Sequence, residues 1–320
     1  MIMKTDTNPG VSRVIVIPLS GYINRIQSIA SASILANSLG AEFLVCWESQ
    51  NVAPAPAKSI LNGSLVKNHL IGKSELSVLM GQEINEIPPY LTKRNNIICL
   101  AGLDRGEQVF MPELKSMIHH IDQPTEVVIS AGGNFSFHNQ ETAITQRGEW
   151  YRHFNFADPI EKAAKKLIDQ QDQFVGLHLR YTDRSHETPL DHKIQAAVMQ
   201  QVERTGITSV FIASDTRGKK DKWLERLREA GLQPWSAQLE SHDRANELAG
   251  IGAMVDWKVL GSATTSVYFA ASSFGHEAAV MAGSTETSIA LSGHPVRRWQ
   301  YRGREWVRAA IHYPRNHWGR

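Results

Sequence analysis

The sequence contains no Asp-x-Asp pair, no GxxxxGK[ST] phosphate loop, no GxGxxG after its first strand-like run, no GxSxG elbow and no HExxH. NTPase, dinucleotide oxidoreductase, serine hydrolase and zincin chemistries therefore lose their usual support. The Asp-x-Asp spacing commonly holds a divalent cation against a sugar nucleotide, so its absence favours neutralising a diphosphate with basic side chains and backbone N–H donors. Cysteine is scarce: Cys46 and Cys99 are too few for a disulfide framework or a structural zinc site, and both read as buried free thiols. No run of about 20 apolar residues could span a bilayer, and Met1–Gly10 is polar where a secretory signal would be apolar, so the expected location is cytoplasmic. The net charge of +2 leaves no excess for general nucleic-acid binding.

What is present is the composition of a folded protein, 42% hydrophobic and 21% charged, over 320 residues, more than one core usually supports. Val14–Ile17 reads as a strand. Ile26, Ile29, Ala30, Ile34 and Leu35 follow at helical spacing, and Phe43–Val45 resumes as a strand, which makes a βαβ unit with a parallel sheet. Ile97–Leu100 and Val127–Ile129 read as further strands with a helix near Leu114–Ile121 between them. A second alternation runs from a strand at Phe174–Arg180 to a helix at Ser273–Met281. The expected fold class is α/β, with two Rossmann-type parallel-sheet domains facing across a cleft. They divide into 1–155 on the acceptor side, 156–295 on the nucleotide side, and a basic, aromatic segment 296–320 packing across them. The arginines and tryptophans of that last segment suit an anionic or lipid-linked acceptor, a membrane surface or a stacked sugar, or else simple packing of the tryptophans.

The most informative stretch is Gly176-Leu177-His178-Leu179-Arg180-Tyr181-Thr182-Asp183-Arg184, where polar residues gather at the end of an apolar strand. Alternation puts His178 and Arg180 on one face. Arg180 can fork two hydrogen bonds onto phosphate oxygens and so neutralise a leaving diphosphate; the alternative is an ion pair with Asp183. Gly21-Tyr22-Ile23-Asn24-Arg25 feeds a helix N-terminus, a second place to hold phosphate. His178, His186 and His192 have no familiar metal-ligand spacing, and no metal is expected.

The first stretch resembles the His-x-Arg-Arg-Thr-Asp motif of the fucosyltransferase superfamily, which includes bacterial nodulation and eukaryotic core α1,6-fucosyltransferases and the protein O-fucosyltransferases. Tyr181 stands where the α1,6 enzymes have a second Arg. Gly21–Arg25 is similar to the family's Gly-x-x-Asn-Arg loop, and Phe211–Asp215 to its apolar-Ala-Ser/Thr-Asp strand. Val255–Leu260, with Thr264, Thr265 and Ser272–Gly275, resembles the segments that close its nucleotide pocket.

The resemblance implies a GT-B-like, inverting, metal-independent glycosyltransferase with no cofactor, using GDP-fucose or another GDP-hexose and a glycan or glycoconjugate acceptor. It implies that Asp256 reads guanine, that Ser272 and Ser273 meet the β-phosphate, and that Gly21, Asn24, Arg25 and His178 help bind the nucleotide. Arg180 would stabilise the leaving group, while Glu187, aided by Arg184, would take the acceptor proton, with Asp183 and Glu48 as rivals. A non-catalytic binding protein of the same fold is the competing reading.

Overall fold

The computed structural model describes residues 10–81, 92–94, 97–103, 111–119, 124–136, 138–182, 188–238 and 246–293. Two compact units are present: Met1–Asp172 with Ala237–Ser262 and Val280–Gly283, and Gln173–Ser236 with Ala263–Ala279 and Ser284–Arg320. Neither is a contiguous span of sequence.

In the first unit, β1 (Val11–Pro18), α1 (Tyr22–Leu39) and β2 (Glu42–Val45) form the expected βαβ. Helices α2 (Ala57–Ile60), α3 (Gly63–His69) and α4 (Lys73–Met80) follow, then β3 (Thr92–Arg94), β4 (Ile97–Leu103), α5 (Met111–His119) and β5 (Thr125–Ala131). The sheet order is β2-β1-β5-β4-β3, parallel except for β3, which runs antiparallel to β4 at one edge. β-Branched residues fill its middle: Val14, Ile15, Val16, Val127, Val128 and Ile129 are fully buried, as suits a sheet covered on both faces. Cys46 and Cys99 are buried free thiols in this core, and burial pushes the Cys46 thiol up to about 11.

Helices α6 (Gln140–His153), α7 (Asp158–Ile168) and, from later in the chain, α10 (Glu247–Leu260) belong to the same unit. What draws α10 there is aromatic packing. Trp257 meets the edges of Tyr151 and Phe156 at 5.3 and 5.9 Å, and Lys258 pairs with Glu161 at 3.1 Å. Gly250 lets α10 approach α1: a Cβ there would stand 2.4 Å from the Tyr22 hydroxyl.

The second unit holds β6 (Val175–Leu179), α8 (Asp191–Thr205), β7 (Ser209–Ser214), α9 (Arg217–Glu229), β8 (Gln233–Trp235), β9 (Thr265–Phe269) and β10 (Ile289–Leu291). Helix α11 (Ser273–Ala282) starts in it. All five strands are parallel, in the order β10-β9-β6-β7-β8. Alternation sorts the two faces. Val175, Leu177, Leu179, Val210, Ile212, Val267 and Phe269 pack with Ile194, Val198, Trp223 and Leu227 of α8 and α9. His178, in register with Ala213, faces the other way and meets Phe274 of α11. The short edge strands β3, β8 and β10 escape a periodicity reading because three residues cannot display a period.

Candidate functional site

In the second unit the chain leaves β6 towards β7 on one side, while β9 and β10 lie on the other. The crevice beyond the carboxyl ends of β6 and β9 is therefore a topological switch point, where open parallel sheets bind ligands. His178 from β6 and Ser272, between β9 and α11, both belong to this end.

His178 is 5% exposed, and its ring stacks on Phe274 at 4.7 Å with 19° between planes. Its Nδ1 has no hydrogen-bond partner among the described residues. Burial lowers the imidazole to about 3, with nearby Arg180 reinforcing and Asp215 opposing the shift, so the ring is neutral. Ser272 is 1% exposed, immediately precedes the first residue of α11, and its hydroxyl is likewise unpartnered among the described residues. Buried polar atoms left unbonded cost about 1–3 kcal/mol each, and a polar ligand at this switch point would satisfy two of them. The first turn of α11 adds the positive end of the helix dipole.

The loop carrying Arg180 is held by a residue whose role the sequence left unread. Asp215, just past β7, accepts from the Tyr181 N–H at 2.9 Å, the Thr182 N–H at 3.3 Å and the Thr182 hydroxyl at 2.7 Å. Arg180 itself is half-buried at the start of this anchored turn, and its carbonyl accepts from the Thr188 hydroxyl at 3.4 Å. Tyr181 points the other way, into the core. Its hydroxyl accepts from Trp223 Nε1 at 2.9 Å, its ring meets the edge of Phe269, and burial raises the phenol to about 12.

In the first unit, the β1–α1 turn is tightly determined. Ser20 is the one non-glycine residue at positive φ among the described residues, at 66°. Arg25, 0% exposed, locks it: Nε donates to the Ser20 carbonyl at 2.9 Å, Nη1 to the Glu48 carbonyl at 2.6 Å, and the guanidinium lies 4.7 Å over Trp47. Burial lowers this guanidinium to about 10, and Nη2 has no partner among the described residues. A Cβ at Gly21 would meet nothing within 4 Å, so the turn has open space beside it; Asn24 is half-buried on the first turn of α1. Glu48 pairs with Lys73 at 3.3 Å. Asp256 is 3% exposed on α10.

No family model and no curated protein matches the chain. Solved structures do match. POFUT1 in complex with GDP aligns over 89% of this chain and 97% of its own, at 14% identity and a TM-score of 0.50. NodZ α-1,6-fucosyltransferase co-crystallized with GDP aligns over 83% and 91%, at 15% identity and a TM-score of 0.54. A mutant of Arabidopsis thaliana FUT1 in complex with GDP aligns over 86% and 69%, at 13% identity and a TM-score of 0.58. The chain has the fucosyltransferase fold.

Within the fucosyltransferase fold of this chain, the second unit brings His178, Arg180, Ser272 and Ser273 to one end of one sheet, and the first unit brings Gly21, Asn24 and Arg25 to one turn. Asp183, Arg184 and Glu187 lie outside the described residues, as does the segment 296–320. α11 begins with Ser273, so the position before the helix belongs to Ser272. Among the described residues no cluster of three or more His, Cys, Asp or Glu could hold a metal ion, and no helix is long and apolar enough to cross a membrane.

Proposed function

We propose that this chain is an inverting glycosyltransferase that takes a fucosyl group from GDP-fucose to a hydroxyl of a glycan or glycoconjugate and releases GDP. The observation that carries the reading is the pair of buried, unpartnered polar atoms, His178 Nδ1 and Ser272 Oγ, at the β6/β9 switch point beside the start of α11. The fold likeness to fucosyltransferases solved with GDP supports it.

In this reading the N–H groups opening α11 and the Ser272 and Ser273 hydroxyls receive the β-phosphate. Arg180 forks onto the leaving diphosphate, and charge neutralisation by fixed N–H groups takes the place of a metal. His178, neutral and sealed against Phe274, hydrogen-bonds the nucleotide through Nδ1. Assigning Asp256 to guanine, Gly21, Asn24 and Arg25 to the diphosphate, and proton abstraction to Glu187 with Arg184, or to Asp183, rests on the sequence resemblance. The acceptor oxygen attacks C1 from the face opposite the diphosphate, and its proton passes to that carboxylate.

Calorimetric titration with GDP, UDP and ADP, each with and without magnesium, tests the donor assignment: magnesium-independent preference for GDP is expected. A preference for another base removes Asp256 as reader and the donor with it. Competition between GDP-fucose and other GDP-hexoses then identifies the sugar. GDP binding with no transfer to any hydroxyl acceptor would instead favour a non-catalytic binding protein.

A further inference from the structure

Glu277, on the second turn of α11, is 0% exposed, and one of its oxygens lies 2.9 Å from Nδ1 of its neighbour His276. Burying a carboxylate costs several kcal/mol before pairing. The imidazole it holds reaches outward. The His276 side chain is 37% exposed and its ring meets Tyr268 edge-on at 6.2 Å. With Nδ1 engaged by the carboxylate, Nε2 is the nitrogen left to act at the surface, the arrangement by which proteins fix an imidazole's orientation and proton position.

The position of His276 in the helix says what it acts on. Its N–H bonds the Ser272 carbonyl at 3.2 Å, closing the first turn. Residues four apart share a helix face, and helical side chains lean towards the N-terminus, so the imidazole covers the turn that begins at Ser272. Ser272 Oγ, unpartnered among the described residues, belongs to that turn, and His178 Nδ1 on β6 lies against it, 3.1 Å from where a Cβ at Gly275 would stand.

We propose that His276 is a further phosphate-binding residue of this site, donating Nε2–H to the β-phosphate of a bound nucleoside diphosphate, with Glu277 as its positioning residue. The inference rests on the nucleotide reading above and adds to it. Bridging the carboxylate through Nδ1–H and the phosphate through Nε2–H uses a proton on each ring nitrogen. As the bond from C1 to the β-phosphate oxygen breaks, its electron pair stays on that oxygen, where the Nε2–H bond strengthens. The acceptor oxygen forms the new bond to C1, and its proton leaves to the carboxylate on the acceptor side.

The test is calorimetry of GDP and GMP with the full chain, His276→Asn and Glu277→Gln. GMP lacks the β-phosphate, so His276→Asn is expected to weaken GDP by about tenfold or more, as for loss of one charge-assisted hydrogen bond, while leaving GMP unchanged. Glu277→Gln is expected to lose part of the same GDP-over-GMP preference. Because His276 is part-exposed, His276→Asn reports even if Glu277→Gln does not fold. An unaltered preference in His276→Asn overturns this inference and leaves the nucleotide reading standing; a wild-type chain that binds no GDP overturns both.

Discussion

At the scale of single residues, the second half of the His178–Asp183 motif divides by the strand's period of two. Arg180 continues the face of His178, while Tyr181 continues the core face of Leu179, against Phe269 and beneath Trp223. Replacing Tyr181 by the arginine of the α1,6 enzymes would drive a cation into that core and strand the buried Trp223 N–H. Tyr181→Arg is therefore expected to lower the urea midpoint sharply and to gain no turnover. Tyr181→Phe, which removes only the acceptor for Trp223, should cost about 1–3 kcal/mol and leave turnover close to wild type. Arg180→Ala is expected to act on catalysis instead, with turnover down by at least about a hundredfold in the folded protein. Near-wild-type turnover in Arg180→Ala would remove it as the diphosphate group.

At the scale of elements, α11 can act as a phosphate-facing helix only because its first turn lies close on the sheet. Gly275 permits this: a Cβ there would sit 2.4 Å from Tyr268 Cβ and 3.1 Å from His178 Nδ1. The first contact is with the base of a buried ring, which has no freedom to move aside, so Gly275→Ala must lift the helix. A loss of about 1–3 kcal/mol in stability and a larger proportional loss of GDP affinity are expected, read by urea unfolding and calorimetry. An unchanged GDP affinity would show that the start of α11 does not touch the nucleotide.

The sequence made this architecture legible where elements are long and periodic: β1, α1, β5, β6 and α11 stand within a few residues of their expected places. It left Asp215's hold on the Arg180 turn and Arg25's burial under Trp47 unread, because both depend on backbone carbonyls and N–H groups brought together from distant strands and loops. The His276–Glu277 pair was equally silent. Adjacent residues on a helix seldom face each other, so no spacing rule announces them.

At the scale of the whole molecule, the buried imidazole of His178 links the site to stability. An unfolded histidine takes up its proton near pH 6.5, whereas folded His178 stays neutral down to about 3. Between those values the unfolded state binds one proton more than the native state, so stability rises with pH across the window and is fully present above about 6.5. On acidification the chain should lose up to about 1.4 kcal/mol per pH unit from this group alone. Protonation of the folded ring, which comes only at about 3, would break the stack with Phe274 and set a second cation beside Arg180, so GDP affinity should hold between pH 6.5 and 4 while stability falls. In His178→Gln, which is neutral at every pH, the slope of the urea midpoint between pH 6.5 and 4 should flatten by the contribution of one proton. If His178→Gln and wild type lose stability in parallel over that range, the imidazole is protonated in the folded chain, and its role as a neutral partner for the nucleotide falls with it.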